Sequence, residues 1–246
     1  MTAAASDRVR LEWSNRVEAE YRSAALTTNL THWLIQIGAS PDLIADGLRI
    51  VTDELEHAKL SHAVYVDAGG TEPPAIDREQ LGLPRNAGRP LELDVVSFAV
   101  RIFCLGETVA VPLFAHLRTG CTVESARAAL DRVLVDEVRH RQFGWDLLDQ
   151  LLEHPSADVM REQILRDLPR LFADLELSYG AGAIAAASDL ITDDDRAWGL
   201  APPDEYAAIL HHTFVKEFAP RFAERDLDAG PAWDHRIELI GPDVIN

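Results

Sequence analysis

Apolar side chains recur along most of this chain at spacings of three and four, the period of a helix with one buried face. Leu11, Trp13, Val17, Ala24, Leu30, Leu34 and Ile37 predict a first helix from about Asp7 to Ile37, with Gly38 as its stop. Ser40-Pro41-Asp42 supplies a cap residue, a proline at the first helical position and an acid in the first turn. It opens a second helix that runs to about Asp67. From Gly69 to Pro90 the pattern breaks, punctuated by Gly69, Gly70, Pro73, Pro74, Gly82, Pro84, Gly88 and Pro90. A connection this long inside a compact domain needs a reason, and a crossover between parallel helices of a bundle supplies one.

A third helix is predicted from about Leu93 to Leu117, with the stripe Val100, Phe103, Glu107, Ala110, Val111 and Phe114. Pro112 removes the hydrogen bond to the Thr108 carbonyl and is expected to kink this helix beside Glu107. Thr122 is placed to cap a fourth helix that ends near Glu153. Two more helices are expected, about Ala157–Ala187 and Asp204–Arg225, with Pro169 and Pro220 as bends or ends, and then a tail from Asp228. No strand-like alternation occurs, so the expected fold is all-α. It is one domain over residues 1–246: a core bundle over about 7–154, a helical extension over about 155–228 and a tail over 229–246.

Candidate chemistry interrupts the apolar stripes. Glu137 and His140 stand three apart and share a face with Val133, Gly144, Leu147 and Leu151. Burying an acid and an imidazole without partners costs several kcal/mol or more, about tens for an isolated ion, so something must compensate them. The spacing recurs at Glu54 and His57. Of the nine histidines, only His57 and His140 have Glu three positions earlier, and both also have Asp four earlier, at Asp53 and Asp136. Glu107 is the one acid in the third helix's stripe. A site built from four helices needs one more Glu from the first. Glu20 shares its face with Trp13, Val17 and Ala24, and is preferred to Glu18, which has Ser14, Asn15 and Arg22 around it.

The metal ligands expected are therefore Glu20, Glu54, His57, Glu107, Glu137 and His140, with Glu54 and Glu137 bridging and catalytically central. Four carboxylates balance two divalent ions, and oxygen-rich ligation with one imidazole per ion suits iron or manganese. Ligating imidazoles usually donate their other N–H to a carboxylate. Asp136 is expected to receive His57, and Asp53 to receive His140, across facing helices, with Arg139 pairing one of these acids. Thr27, Thr31, Ser61 and Thr108 are small polar helix residues placed to line a pocket.

The order Glu, Glu-x-x-His, Glu, Glu-x-x-His over four helices resembles the ferritin-like superfamily. The form Asp-Glu-x-Arg-His at Asp136–His140 is similar to that of ribonucleotide reductase small subunits and bacterial di-iron monooxygenases. The long connection after the second helix is similar to the ferritin crossover. The spacing from Glu20 to Gly38-Ala39-Ser40-Pro41, and the stretch from Trp198-Gly199-Leu200 to Pro203-Asp204-Glu205-Tyr206, resemble bacterial ferritin-like domain proteins. The resemblance implies a ferritin-like four-helix bundle with two additional C-terminal helices. It also implies a carboxylate-bridged non-haem centre of two irons (Mn/Fe or Mn/Mn as variants) that uses dioxygen. The expected activity is that of an oxidase or oxygenase on a small organic substrate, with an external electron donor. The alternative is a ferroxidase, iron-handling or peroxide-consuming stress protein without an organic substrate.

Composition narrows the partners. The 246 residues carry 41 acids against 23 lysines and arginines, a formal net charge of -18. That disfavours nucleic acid and anionic membrane, both bound through positive patches. Cys104 and Cys121 show no metal-type spacing, which fits a reducing compartment. No apolar signal core is read at Met1–Asp7 and no run of membrane-spanning length, so a cytoplasmic location is expected. The sequence does not fix the oligomeric state, and a homodimer is among the assemblies it leaves open.

Overall fold

A computed structural model describes residues 5–179 and 191–240. Among these the chain is all helix, with no strand. Helix α1 (Asp7–Gln36) starts at Ser6, whose hydroxyl accepts the Val9 N–H, and stops before Gly38, which sits at φ 73°. Helix α2 (Pro41–Asp67) is capped by the Ser40 hydroxyl on the Leu43 N–H. The connection after α2 contains one 3-10 turn, Arg78–Gln80.

Helix α3 (Leu91–Gly120) is continuous but not regular. Its middle, Ala99–Glu107, is π-helical, and the last part, Thr108–Gly120, returns to α geometry. The π turns end just before Thr108, whose carbonyl Pro112 cannot bond, and Pro112 itself lies inside the α-helical part. By length and composition alone α3 could cross a membrane, contrary to the expectation of no such run. Here it contributes Val95, Val96, Phe103 and Leu105 to the interior.

Helix α4 (Glu124–Leu152) does not use Thr122 as its cap. Val123 occupies that position with no side-chain bond, and the Thr122 and Val123 N–H groups both donate to the Ala197 carbonyl at 2.9 Å. A tertiary acceptor has replaced the local one.

Helix directions follow from the pairs that meet. Glu20 and Thr31 of α1 face His57 and Gly47 of α2, so α1 and α2 are antiparallel. His57 meets Asp136 and His140 meets Asp53, so α2 and α4 are antiparallel. The short link after Gly120 turns α3 back onto α4, with Phe103 against Phe143 and Arg118 against Asp131. Helices α2 and α3 therefore run the same way, and residues 68–90 return the chain along the bundle.

Beyond the four long helices lie α5 (Ala157–Tyr179), the short α6 (Asp193–Ala197), α7 and α8 (Gly230–Ile240). Helix α7 joins Pro203–Thr213, a π-helical Phe214–Phe218 and Ala219–Ala223, so Pro220 does not end it. Pro169 lies inside α5. Residues 180–187 of the expected fifth helix lie outside the described residues. The expected tail is instead helix α8 as far as Ile240. Its Trp233 stacks on Phe214 at 4.2 Å, and Arg236 donates to the buried Glu176 at 3.1 Å. Four helices, not two, follow the bundle among the described residues.

Candidate metal centre

Three of the four long helices are regular where they meet the site, and the fourth, α3, is π-helical there. Glu20 comes from the middle of α1, Glu54 and His57 from α2, Glu107 from the last π turn of α3, and Glu137 and His140 from α4. All six are buried, none more than 9 % exposed. One donor atom from each of Glu20, Glu54, His57 and Glu137 lies within 4.8 Å of all the others, and the same holds for Glu54, Glu107, Glu137 and His140. Glu54 and Glu137 belong to both groups. Glu18 is elsewhere, paired with Arg22 at 3.3 Å.

The imidazoles are held from behind. His57 Nε2 is 3.1 Å from Asp136 Oδ2, and His140 Nε2 is 3.5 Å from Asp53 Oδ2, the crossed arrangement expected of two facing helices. Arg139 joins the two acids, donating to Asp136 at 2.6 Å and Asp53 at 2.8 Å. Arg132, four residues before Asp136, also donates to it and approaches Asp53 at 3.7 Å. Arg132 was not among the residues read from the sequence, although its i,i+4 spacing from Asp136 was visible there.

The inward atoms are left without partners. His57 Nδ1, His140 Nδ1, Glu54 Oε2 and Glu137 Oε2 are buried and make no hydrogen bond. His57 Nδ1 stands 3.7 Å from Glu20 and Glu137 and 3.8 Å from Glu54, and His140 Nδ1 stands 3.3 Å from Glu54 and 3.5 Å from Glu137. Buried polar groups are rarely left like this. The donors are hard carboxylate oxygens with one imidazole in each group, a set suited to two divalent ions.

Protonation in the metal-free cluster reflects the crowding. Burial, with Glu20 and Glu107 nearby, pushes Glu54 up to about 8. Burial and the Glu137 carboxylate push Glu107 well above the usual range. Burial works against Glu20's ionisation too, but the facing His57 and Glu54 groups outweigh it and hold Glu20 low. Burial opposes charging of both imidazoles, yet the acids around them raise His57 to about 9 and His140 to about 12. Bound cations would replace those protons.

A cavity of about 450 Å³ opens onto this cluster and reaches Glu20, Glu54, Glu107 and Glu137. None of the four expected pocket residues lines it. Thr108 is buried and accepts the Trp145 indole N–H at 3.0 Å. Thr27, Thr31 and Ser61 are buried within the helix packing, and the Thr31 hydroxyl fills the space above Gly47. The walls come instead from α3 residues such as Leu105 and Phe114, and from Leu175, Tyr179 and Tyr206 of α5 and α7. Burial raises the Tyr179 hydroxyl to about 12, with Glu107 and Glu137 adding to it. The α5 and α7 contributions join residues far apart in the chain, and nothing local in the sequence announces them.

Comparison with protein-family models, with curated proteins and with solved structures finds no match to this chain.

Proposed function

We propose that this chain is a ferritin-like protein whose cluster holds two metal ions, iron first among them. We further propose that it acts as a dioxygen-dependent oxidase or oxygenase on a small organic substrate. The observation that carries the reading is the pair of four-donor groups sharing Glu54 and Glu137, with four inward atoms unpartnered. Parallel α2 and α3 joined by a long return support the bundle type. Two irons held there would supply the activation of dioxygen.

The chain's own residues have distinct tasks in this reading. Glu20 with His57, and Glu107 with His140, would hold one ion each, with Glu54 and Glu137 the donors common to both groups. Asp136 and Asp53 fix the ring orientation of the two imidazoles, and Arg139 fixes the two acids relative to each other. The apolar cavity walls exclude water and give an organic molecule a place beside the cluster. This cavity favours a substrate-using enzyme over a ferroxidase or iron store, which needs no such space.

The test is anaerobic loading with ferrous iron followed by air, read by absorption spectroscopy. The wild-type protein is expected to develop a ligand-to-metal absorption band that Glu107→Ala lacks. Identical spectra from the two proteins would refute the assignment.

A further inference from the structure

The cavity floor is acidic, and the rest of its surface is mostly apolar, with Leu26, Ile102, Leu105, Phe114, Leu171 and Leu175 prominent. Most charged groups at the rim already have partners. Arg16 donates to Glu12 at 3.1 Å and to the Gly199 carbonyl at 2.9 Å. Arg22 pairs with Glu18 and donates to Gln80 at 2.9 Å, and Asp174 pairs with Arg170 at 3.0 Å. Arg101 differs. It is exposed and has no hydrogen bond or ion pair among the described residues. It stands where this cavity meets two neighbouring clefts, one beside Arg166 and Asp167, the other beside Gln80 and Leu83.

We propose that the cavity binds an organic acid with a single carboxylate and an apolar body. The carboxylate sits on the Arg101 guanidinium and the body extends towards the acid cluster. This inference rests on the proposed di-metal function and adds its substrate class. A guanidinium offers a forked pair of donors that matches a carboxylate. The part of the ligand that extends past Leu105, Phe114 and Leu175 lies against apolar walls, which favour an uncharged body there. An amine at the mouth would be repelled by Arg101. A chain with net charge -18 repels anions in general, so a local unpaired cation is what lets one in. Arg101 and Glu107 are six residues apart on α3, at most about 9 Å along the helix axis, and both line this cavity.

The test is calorimetric titration of the full chain, with its metal content measured on the same samples, using decanoate and decan-1-ol as probes. Wild type is expected to bind decanoate saturably. Arg101→Gln should weaken decanoate by about tenfold or more while changing decan-1-ol by less than about twofold, since only the acid uses the charge-assisted bond. Ala110→Phe, which fills the cavity, should weaken both probes. Equal decanoate affinity in wild type and Arg101→Gln, or no saturable binding to wild type, would overturn the proposal. Metal analysis keeps the two readings apart. Decanoate binding without metal preserves the acid site and removes the di-metal centre, whereas two metals without decanoate binding does the reverse.

Discussion

The segments Asp53–His57 and Asp136–His140 carry the same residue types at the same spacing, and the fold supports them unequally. His57 rests on Asp136, which is fully buried and also takes bonds from Arg132 and Arg139. Burial opposes its ionisation, but those bonds hold the Asp136 carboxyl down to about 2. His140 rests on Asp53 at 3.5 Å, the long limit of a hydrogen bond, and Asp53 is 7 % exposed. The acids that complete the two groups differ as well. Glu20 projects from regular α helix, whereas Glu107 projects from the π-helical stretch. A repeated motif therefore does not make a symmetric site. Its surroundings decide how firmly each half is held.

The largest effect expected is loss of metal from His140→Ala or Glu107→Ala, checked by elemental analysis of the purified variants. Either substitution removes a donor from the group with the looser support. Next comes the comparison of the two supporting acids. Asp136→Ala should weaken metal affinity by roughly 10–100-fold, as loss of such partners generally does. Asp53→Ala should cost less, and a competition titration against a chelator measures both. An equal or larger loss from Asp53→Ala would break the inequality. Arg139→Ala, which touches both acids but is partly exposed, should weaken metal binding less than Asp136→Ala in the same titration. The smallest effect belongs to Glu18→Ala. Metal content should match wild type, while Glu20→Ala loses metal, because only Glu20 reaches His57.

Much of this organisation is legible in the chain. The four long helices could be placed because an apolar stripe repeated over seven or more turns leaves no competing period. The cluster could be assembled because acids and imidazoles in such stripes are conspicuous, and the crossed Asp–His pairs follow from two antiparallel copies of one spacing. What escaped was non-local. Thr122 reads as a cap, yet the Ala197 carbonyl takes the amides there. The π turns of α3 lie where Phe103 and Cys104 pack against Gly144, whose lack of a side chain lets α3 approach closely. Helix α8 reads as a tail because it is short and its buried face includes Arg236, whose charge is met by Glu176 of the distant α5. The cavity walls require α5 and α7 to be in place. Asp228 and Gly230-Pro231 did carry a local start signal for α8, since the Asp228 carboxylate accepts the Gly230 N–H at 3.0 Å.

The central claim is that Glu54 and Glu137 are shared between two cations. The direct test is metal stoichiometry by elemental analysis after saturation with ferrous iron and removal of the excess, on wild type and on Glu54→Ala. The account predicts two ions per chain in wild type and fewer than one in the variant, because one side chain serves both positions. A wild-type stoichiometry of zero, or a variant that keeps both ions, would contradict it.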